Sequence, residues 1–239
     1  RDRYSTATGE SQTAAYIYAN SLTGGIDTEA RENDVVIGIC GYSSSVKHQG
    51  FYDSEGGTQI VDQWSGANGN YESTLDVQYW VMGATPKTSY RYWGTGNNLN
   101  AQAILLLVFR GVSILNPIDV TTTSANYSGD ASPDSPSITP VTAGSAIVAI
   151  GSCTGDTSMQ AKTGPANMPA MTAVYDLNNV VSECGTGAAI KYNCPASAFD
   201  PDAWTGGETS ASYSWTAATV ALRPSVITIP EYRVAMETG

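Results

Sequence analysis

The sequence predicts an all-β protein built as a single antiparallel sandwich, and three observations lead there. Residues 103–109, AILLLVF, are an unbroken apolar run stopped by Arg110-Gly111 and then Asn116-Pro117. Such a run between turn signals reads as a strand buried on both faces. Val35 to Cys40 and Ala146 to Ile150 read the same way, VVIGIC against AIVAI. Between them, residues 73–82 alternate: Leu75, Val77, Tyr79 and Val81 face one way, Asp76, Gln78, Trp80 and Met82 the other. Period two is the mark of a half-buried strand. No amphipathic helix of useful length is visible.

Taken in order, residues 1–12 (RDRYSTATGESQ) are polar and read as an extended arm. Thr13 to Ala19 is a first strand, and 21–34 is a loop with several carboxylates. The strand at Val35 to Cys40 is followed by a Ser- and Gly-rich loop, 41–57, holding the single histidine, His48. Thr58 to Trp64 is a strand, and SGANGN (65–70) is a strong turn signal. Thr88 to Trp93 is a strand that leads through GTGNNLN into the central apolar run. Beyond Pro117, Ile118 to Thr123 is β-prone and 124–136 reads as loop. Ser137 to Val141 suits an edge strand, because Pro136 and Pro140 lack a donor. Ala170 to Tyr175, Ala188 to Tyr192, Ser210 to Trp215 and Thr219 to Leu222 complete the strands. Residues 225–239 form a C-terminal tail.

The pattern has a two-part rhythm over 34–117 and 145–224. Each part opens on an apolar strand with a nearby Cys (Cys40, Cys153) and closes on an apolar strand ending in Arg (Arg110, Arg223). No linker separates the parts, so residues 13–224 are expected to be one sandwich of about ten or more strands, with arms at both ends.

At 239 residues the chain is long enough for one large β domain. Its net charge of −11, with no Lys/Arg cluster, argues against a nucleic-acid partner. The apolar runs are too short to span a bilayer as helices. The chain begins at Arg1 rather than Met, which leaves processing and an internal start both open.

The residues offer little chemistry. A Ser–His–Asp triad would have to use His48, which lies far from any G-x-S-x-G elbow. Glycoside hydrolysis needs two facing carboxyls. Glu29, Glu32 and Asp34 cluster only at a strand entrance, where they read as solvated charge, and Asp76 stands alone. No enzyme activity and no cofactor are expected. A calcium loop would draw on Asp200, Asp202 and Glu208, but D-x-D-x-D-G is missing and an Asp-Pro turn accounts for the same residues. Of the four cysteines, Cys184 and Cys194 flank GTGAAIKYN, a spacing that suits a hairpin closed by a disulfide. Free thiols are the alternative at that pair and the expectation at Cys40 and Cys153, since buried Cys packs as a small hydrophobe.

Aromatic residues are the feature most open to binding. The chain has 14 Tyr and 5 Trp against 3 Phe. Tyr42, Phe51, Tyr52, Trp64 and Tyr71 gather in or beside loops of the first half, and rigid amphipathic rings suit sugars or protein partners. Packing is the equal alternative for this set.

The ordered segments DVVIGICGYSSS (34–45), LDVQYWVMGAT (75–85), AILLLVFRGVSILNPID (103–119), ITPVTAGSAIVAIGS (138–152) and TAATVALRP (216–224) resemble a β-sandwich domain of tailed-bacteriophage tail, fibre and other virion proteins. The FRGV–NPID pair and the closing VALRP are its most specific pieces. The resemblance implies a jelly-roll-like or concanavalin-like sandwich and a non-enzymatic structural or adhesive role, with no site residue to transfer. The expected partners are other virion proteins and copies of the chain itself, in a trimer, together with host surface glycan. The expected location is the virion. A capsid decoration protein, a lectin-like module or secreted adhesin, and lastly a glycan depolymerase are the alternatives.

Overall fold

The computed structural model describes residues 3–8, 15–20, 22, 29–44, 50–66, 72–92, 99–128, 132–154, 163–168, 170–177, 184–205 and 213–225. They form an all-β sandwich of two five-stranded antiparallel sheets and a two-stranded ribbon. The strands are β1 (Arg3–Thr8), β2 (Ala15–Tyr18), β3 (Val35–Ser44), β4 (Thr58–Trp64), β5 (Ser73–Val81), β6 (Ser89–Tyr92), β7 (Leu99–Phe109), β8 (Thr123–Ser128), β9 (Ser145–Thr154), β10 (Ala170–Leu177), β11 (Cys184–Cys194) and β12 (Ser214–Leu222). Among the described residues no helix is long and apolar enough to cross a membrane.

The first sheet runs β1-β7-β3-β5-β4 and the second β8-β12-β9-β11-β10, with β2-β6 as the ribbon. These two orders are the same topology. In each sheet the apolar strand that opens the half is central, and the strand ending in Arg lies directly beside it. The two-part rhythm of the sequence is therefore the division between sheets, and the chain completes one sheet before beginning the other. Jelly-roll crossing back and forth between sheets is not seen.

The match extends to register. Val35 pairs with Phe109 on β7, and Ala146 pairs with Leu222 on β12, so Arg110 and Arg223 follow equivalent residues. Just before the central strands, Asn33 (φ 66°) and Gly144 (φ 85°) both adopt the left-handed region. The Asn33 N–H donates to Met82 O at 2.9 Å, and the Gly144 N–H donates to Cys194 O at 2.8 Å. Both bonds tie the entrance of a central strand to the end of its neighbour. Asn tolerates that backbone better than most side chains, and Gly pays nothing for it.

Three apolar layers result. Between the sheets lie Ile37, Ile39, Leu105, Leu107, Val148 and Val220 with their neighbours. Outside the first sheet, Val36, Cys40, Ile104 and Leu106 pack under the β2-β6 ribbon against Ile17, Tyr90 and Tyr92. Outside the second, Ile147, Ala149 and Ala217 pack under Ile138, Met168 and Trp204. Both faces of each sheet are thus covered. That is why the central strands read as continuous apolar runs instead of alternating ones.

The interior between the sheets changes character along its length. At the end where β3 and β9 begin it is filled by Val35, Phe109, Val148 and Leu222. At the other end it is lined by Ser43, Ser73, Ser152, Thr154, Thr186, Ser214 and Thr216, all buried. The hydroxyls bond across the sheets: Ser73 Oγ lies 2.9 Å from Thr216 Oγ1 and donates to Ser152 O at 3.3 Å. Thr186 Oγ1 donates to Ser152 Oγ at 3.3 Å. The side chains here are small and the sheets close, so a Cβ on Gly41 would collide with Thr186 Oγ1 and Ser152 Oγ.

Several expectations shift. Arg3–Thr8 is not a free arm but the edge strand β1, antiparallel to β7 with Ser5 opposite Leu106. β8 falls in the stretch read as loop, because its polar sequence TSANYS suits an edge strand paired on one side only, with β12. Ser137 to Val141 contributes only an isolated bridge, Ile138 to Phe199. The tail from 226 onward lies outside the described residues.

Candidate functional site

The five aromatic residues do not form one surface. Tyr42 and Phe51 are fully buried in the layer under the ribbon, where Phe51 meets Trp80 edge-on at 5.0 Å between ring centroids. Their ring area is spent on packing, so neither can face a ligand. Tyr52 is partly buried, with the Arg91 guanidinium 4.1 Å from its ring centroid. Trp64 is partly exposed at the end of β4. Tyr71 and His48 lie outside the described residues.

The proposed disulfide is corrected by the strand itself. Residues 184–194 are one continuous strand, not a hairpin, and Cys184 pairs with Thr154 while Cys194 pairs with Ser145. Ten residue steps at about 3.3 Å place the two cysteines about 30 Å apart, far beyond the Cα separation a disulfide allows. All four cysteines are free and buried.

Asp200 and Asp202 are exposed. The Asp202 carboxylate accepts from the Asn167 N–H at 3.0 Å, and Asn167 Nδ2 donates to Asp200 O at 2.7 Å, so these residues tie two loops together. Glu208 lies outside the described residues. Among the described residues no group of three or more His, Cys, Asp or Glu side chains is placed to hold a metal.

The sequence reading missed two buried carboxylate arrangements. Asp76 is completely buried on the outer face of β5. It accepts from the Gly50 and Phe51 N–H groups at 3.0 and 3.3 Å, from Gln78 Nε2 at 3.1 Å and from Gln59 Nε2 at 2.5 Å. Burial still outweighs these donors and raises its pKa above the ordinary carboxylate value. Its cross-strand partner Cys40 has a thiol pushed well up, by burial first and then by Asp76. This group anchors the segment at Gly50 to the sheet, and no solvent path reaches it.

The second arrangement lies at the apolar end of the sandwich. Asp34, read from sequence as solvated, is 1% exposed and holds Arg110 in a two-pronged pair: Nε to Oδ1 at 2.8 Å and Nη2 to Oδ2 at 2.9 Å. It also accepts from the Arg31 N–H at 2.8 Å. In the second half Asp119 takes the same part from a different position in the chain. It accepts from Arg223 Nε at 3.0 Å and from the Thr142 and Val141 N–H groups at 3.0 and 2.7 Å. Burial acts upward on Asp119, but the Thr142 and Val141 donors and Arg223 prevail and hold its carboxyl below the ordinary value.

The two Arg ends are also joined to each other. Val112 forms a bridge with Pro224 and Ile118 with Leu222. The Ser113 N–H donates to Arg223 O at 2.9 Å, the Ser225 N–H to Gly111 O at 2.7 Å, and the Arg223 N–H to Pro117 O at 2.9 Å. FRGV, NPID and VALRP, remote in sequence, thus form one clasp between the sheets. From it projects the turn 113–116, with Ile114 44% and Leu115 85% exposed. Val141, beside Asp119, is 62% exposed. A groove of about 280 Å³ opens next to the turn, lined by Glu32, Asp34, Arg110, Val112, Ile114 and Ser225 among others.

Comparison with family models, with curated proteins and with solved structures gives no match.

Proposed function

We propose that the chain is a non-enzymatic structural protein of a tailed-phage virion, a tail or fibre component assembled in several copies. The observation that carries this reading is the clasp. The segments most specific to the virion-protein resemblance, FRGV, NPID and VALRP, meet in space and do architectural work through Arg110–Asp34, Arg223–Asp119 and the Val112–Pro224 bridge. The other buried carboxylate, Asp76, serves to fasten a loop. Chemistry-bearing residues spent on fastening strands suit a scaffold better than a catalyst.

Immunogold electron microscopy of purified particles, with antibody to this chain, tests the proposal. Label at the tail or its fibres supports it. Label spread over the head makes the chain a decoration protein instead. Absence of label on every particle overturns the virion reading and leaves a secreted or cell-surface adhesin.

A further inference from the structure

We infer that the clasp end is a two-fold contact surface for a second copy of this chain; the inference names the partner of the assembly surface proposed above and rests on that reading. Single exposed apolar side chains are ordinary on protein surfaces. Ile114 and Leu115 differ because they sit together on a turn that is held in place. Ser113 is bonded to Arg223 on one side, and the Asn116 N–H donates to Ser113 Oγ at 3.3 Å on the other. Leu115, at 85% exposure, is therefore a fixed apolar knob, and little ordering entropy is lost when it is buried.

The groove of about 280 Å³ beside the knob supplies the receptor, with Val112 and Ile114 in its lining. Knob and groove on one patch are what an isologous contact requires, since the same surface must serve as both sides. The charges agree. Glu32 is exposed on the groove and Arg110, while paired with Asp34, keeps 41% of its side chain in solvent. A two-fold sets Glu32 of one copy against Arg110 of the other, a self-complementary pair. The chain as a whole carries −11, which disfavours approach through its acidic faces.

Sedimentation velocity on the full chain, over about 1 to 500 μM, tests the inference together with Leu115→Glu and the control Tyr16→Glu. Tyr16 is 50% exposed on the ribbon, away from the clasp. The expected result is a concentration-dependent dimer in the parent and in Tyr16→Glu, with dissociation at least about tenfold weaker-binding in Leu115→Glu, equivalent to about 1.4 kcal/mol. Circular dichroism and a thermal melt confirm that the variant is folded. A parent that stays monomeric throughout, or a dimer indifferent to Leu115→Glu, overturns the inference. So does a monomer that dimerises only after deletion of 226–239, because the chain's own tail is then the occupant. A labelled tail with a monomeric protein discards the two-fold and keeps the virion reading. A Leu115-dependent dimer on a chain that labels no particle does the reverse.

Discussion

Ser73 on the first sheet and Thr216 on the second share a 2.9 Å hydrogen bond in the middle of the protein, with both side chains fully buried. A bond of this kind adds about 1 kcal/mol net, yet leaving one partner unsatisfied costs about 1–3 kcal/mol. Ser73→Ala and Thr216→Val are each expected to destabilise by about 1–2 kcal/mol, with the double variant costing less than the sum of the two. Urea denaturation of the four proteins gives the coupling energy. Strict additivity would show that the two hydroxyls do not interact.

The same hydroxyl-lined end leaves no room at Gly41. Its missing Cβ faces Thr186 Oγ1 and Ser152 Oγ on the opposite sheet. Gly41→Ala is expected to cost about 2–3 kcal/mol through overpacking. Gly83→Ala meets nothing within 4 Å and should stay within about 0.5 kcal/mol of the parent. Thermal melts of the two variants check the contrast, and equal melting temperatures would refute close approach of the sheets.

Asp119 and Asp76 should give opposite pH dependences. The Asp119 carboxyl is lowered on folding, so its contribution is full above the unfolded value, about 3.9, and is lost as pH falls through the folded value. The Asp76 carboxyl is raised, so its contribution is full below the unfolded value and is lost as pH rises through the folded one. Relative to the parent, Asp119→Asn should flatten the loss of stability in acid. Asp76→Asn should flatten a decline that begins above about pH 4. Chemical denaturation from about pH 2 to 7 separates the two, and parallel profiles would contradict both assignments.

Removing Arg223 isolates an Asp119 side chain with no exposure. Breaking a buried pair costs about 3–5 kcal/mol, and the 31% exposure of the Arg223 side chain brings the expected loss for Arg223→Ala nearer 2 kcal/mol. Arg223→Lys should recover only part of it, because a point charge does not reproduce the guanidinium's second bond, from Nη2 to Asp119 O at 3.1 Å. Equilibrium denaturation at neutral pH ranks the three proteins. A fully stable Arg223→Ala would mean that the clasp is held by its backbone bonds alone.

The strands legible in the sequence were those whose burial is recorded in apolar side chains: Val35 to Cys40, Leu105 to Phe109, and the alternating β5. Their polar continuations were not legible. β3 runs on through Gly41, Tyr42, Ser43 and Ser44, and β9 through Gly151, Ser152, Cys153 and Thr154. Ser, Thr and Gly at those positions signal loop to any hydrophobicity argument, yet here they line a dry interface by bonding to one another. The clasp was half legible. Arg110 and Arg223 stood out as equivalent strand ends, but their acids come from unrelated places, Asp34 just before β3 and Asp119 in the crossover between halves. The aromatic loop set failed because a Tyr or Phe beside a loop carries no sign of whether a ribbon folds over it.

The cysteines offer the most direct check on strand β11. With Cys184 and Cys194 at its opposite ends and all four thiols buried, the denatured protein should take up one alkylating group per cysteine without prior reduction. The native protein should react slowly, and Cys40 slowest, since burial and Asp76 keep its thiol protonated and only the thiolate is nucleophilic. Mass spectrometry after alkylation in denaturant, with and without reductant, reads the count directly. Two missing groups that reappear on reduction, mapped to Cys184 and Cys194, would mean that 184–194 folds back on itself and that the second sheet lacks the long strand on which β9 and β10 both pair.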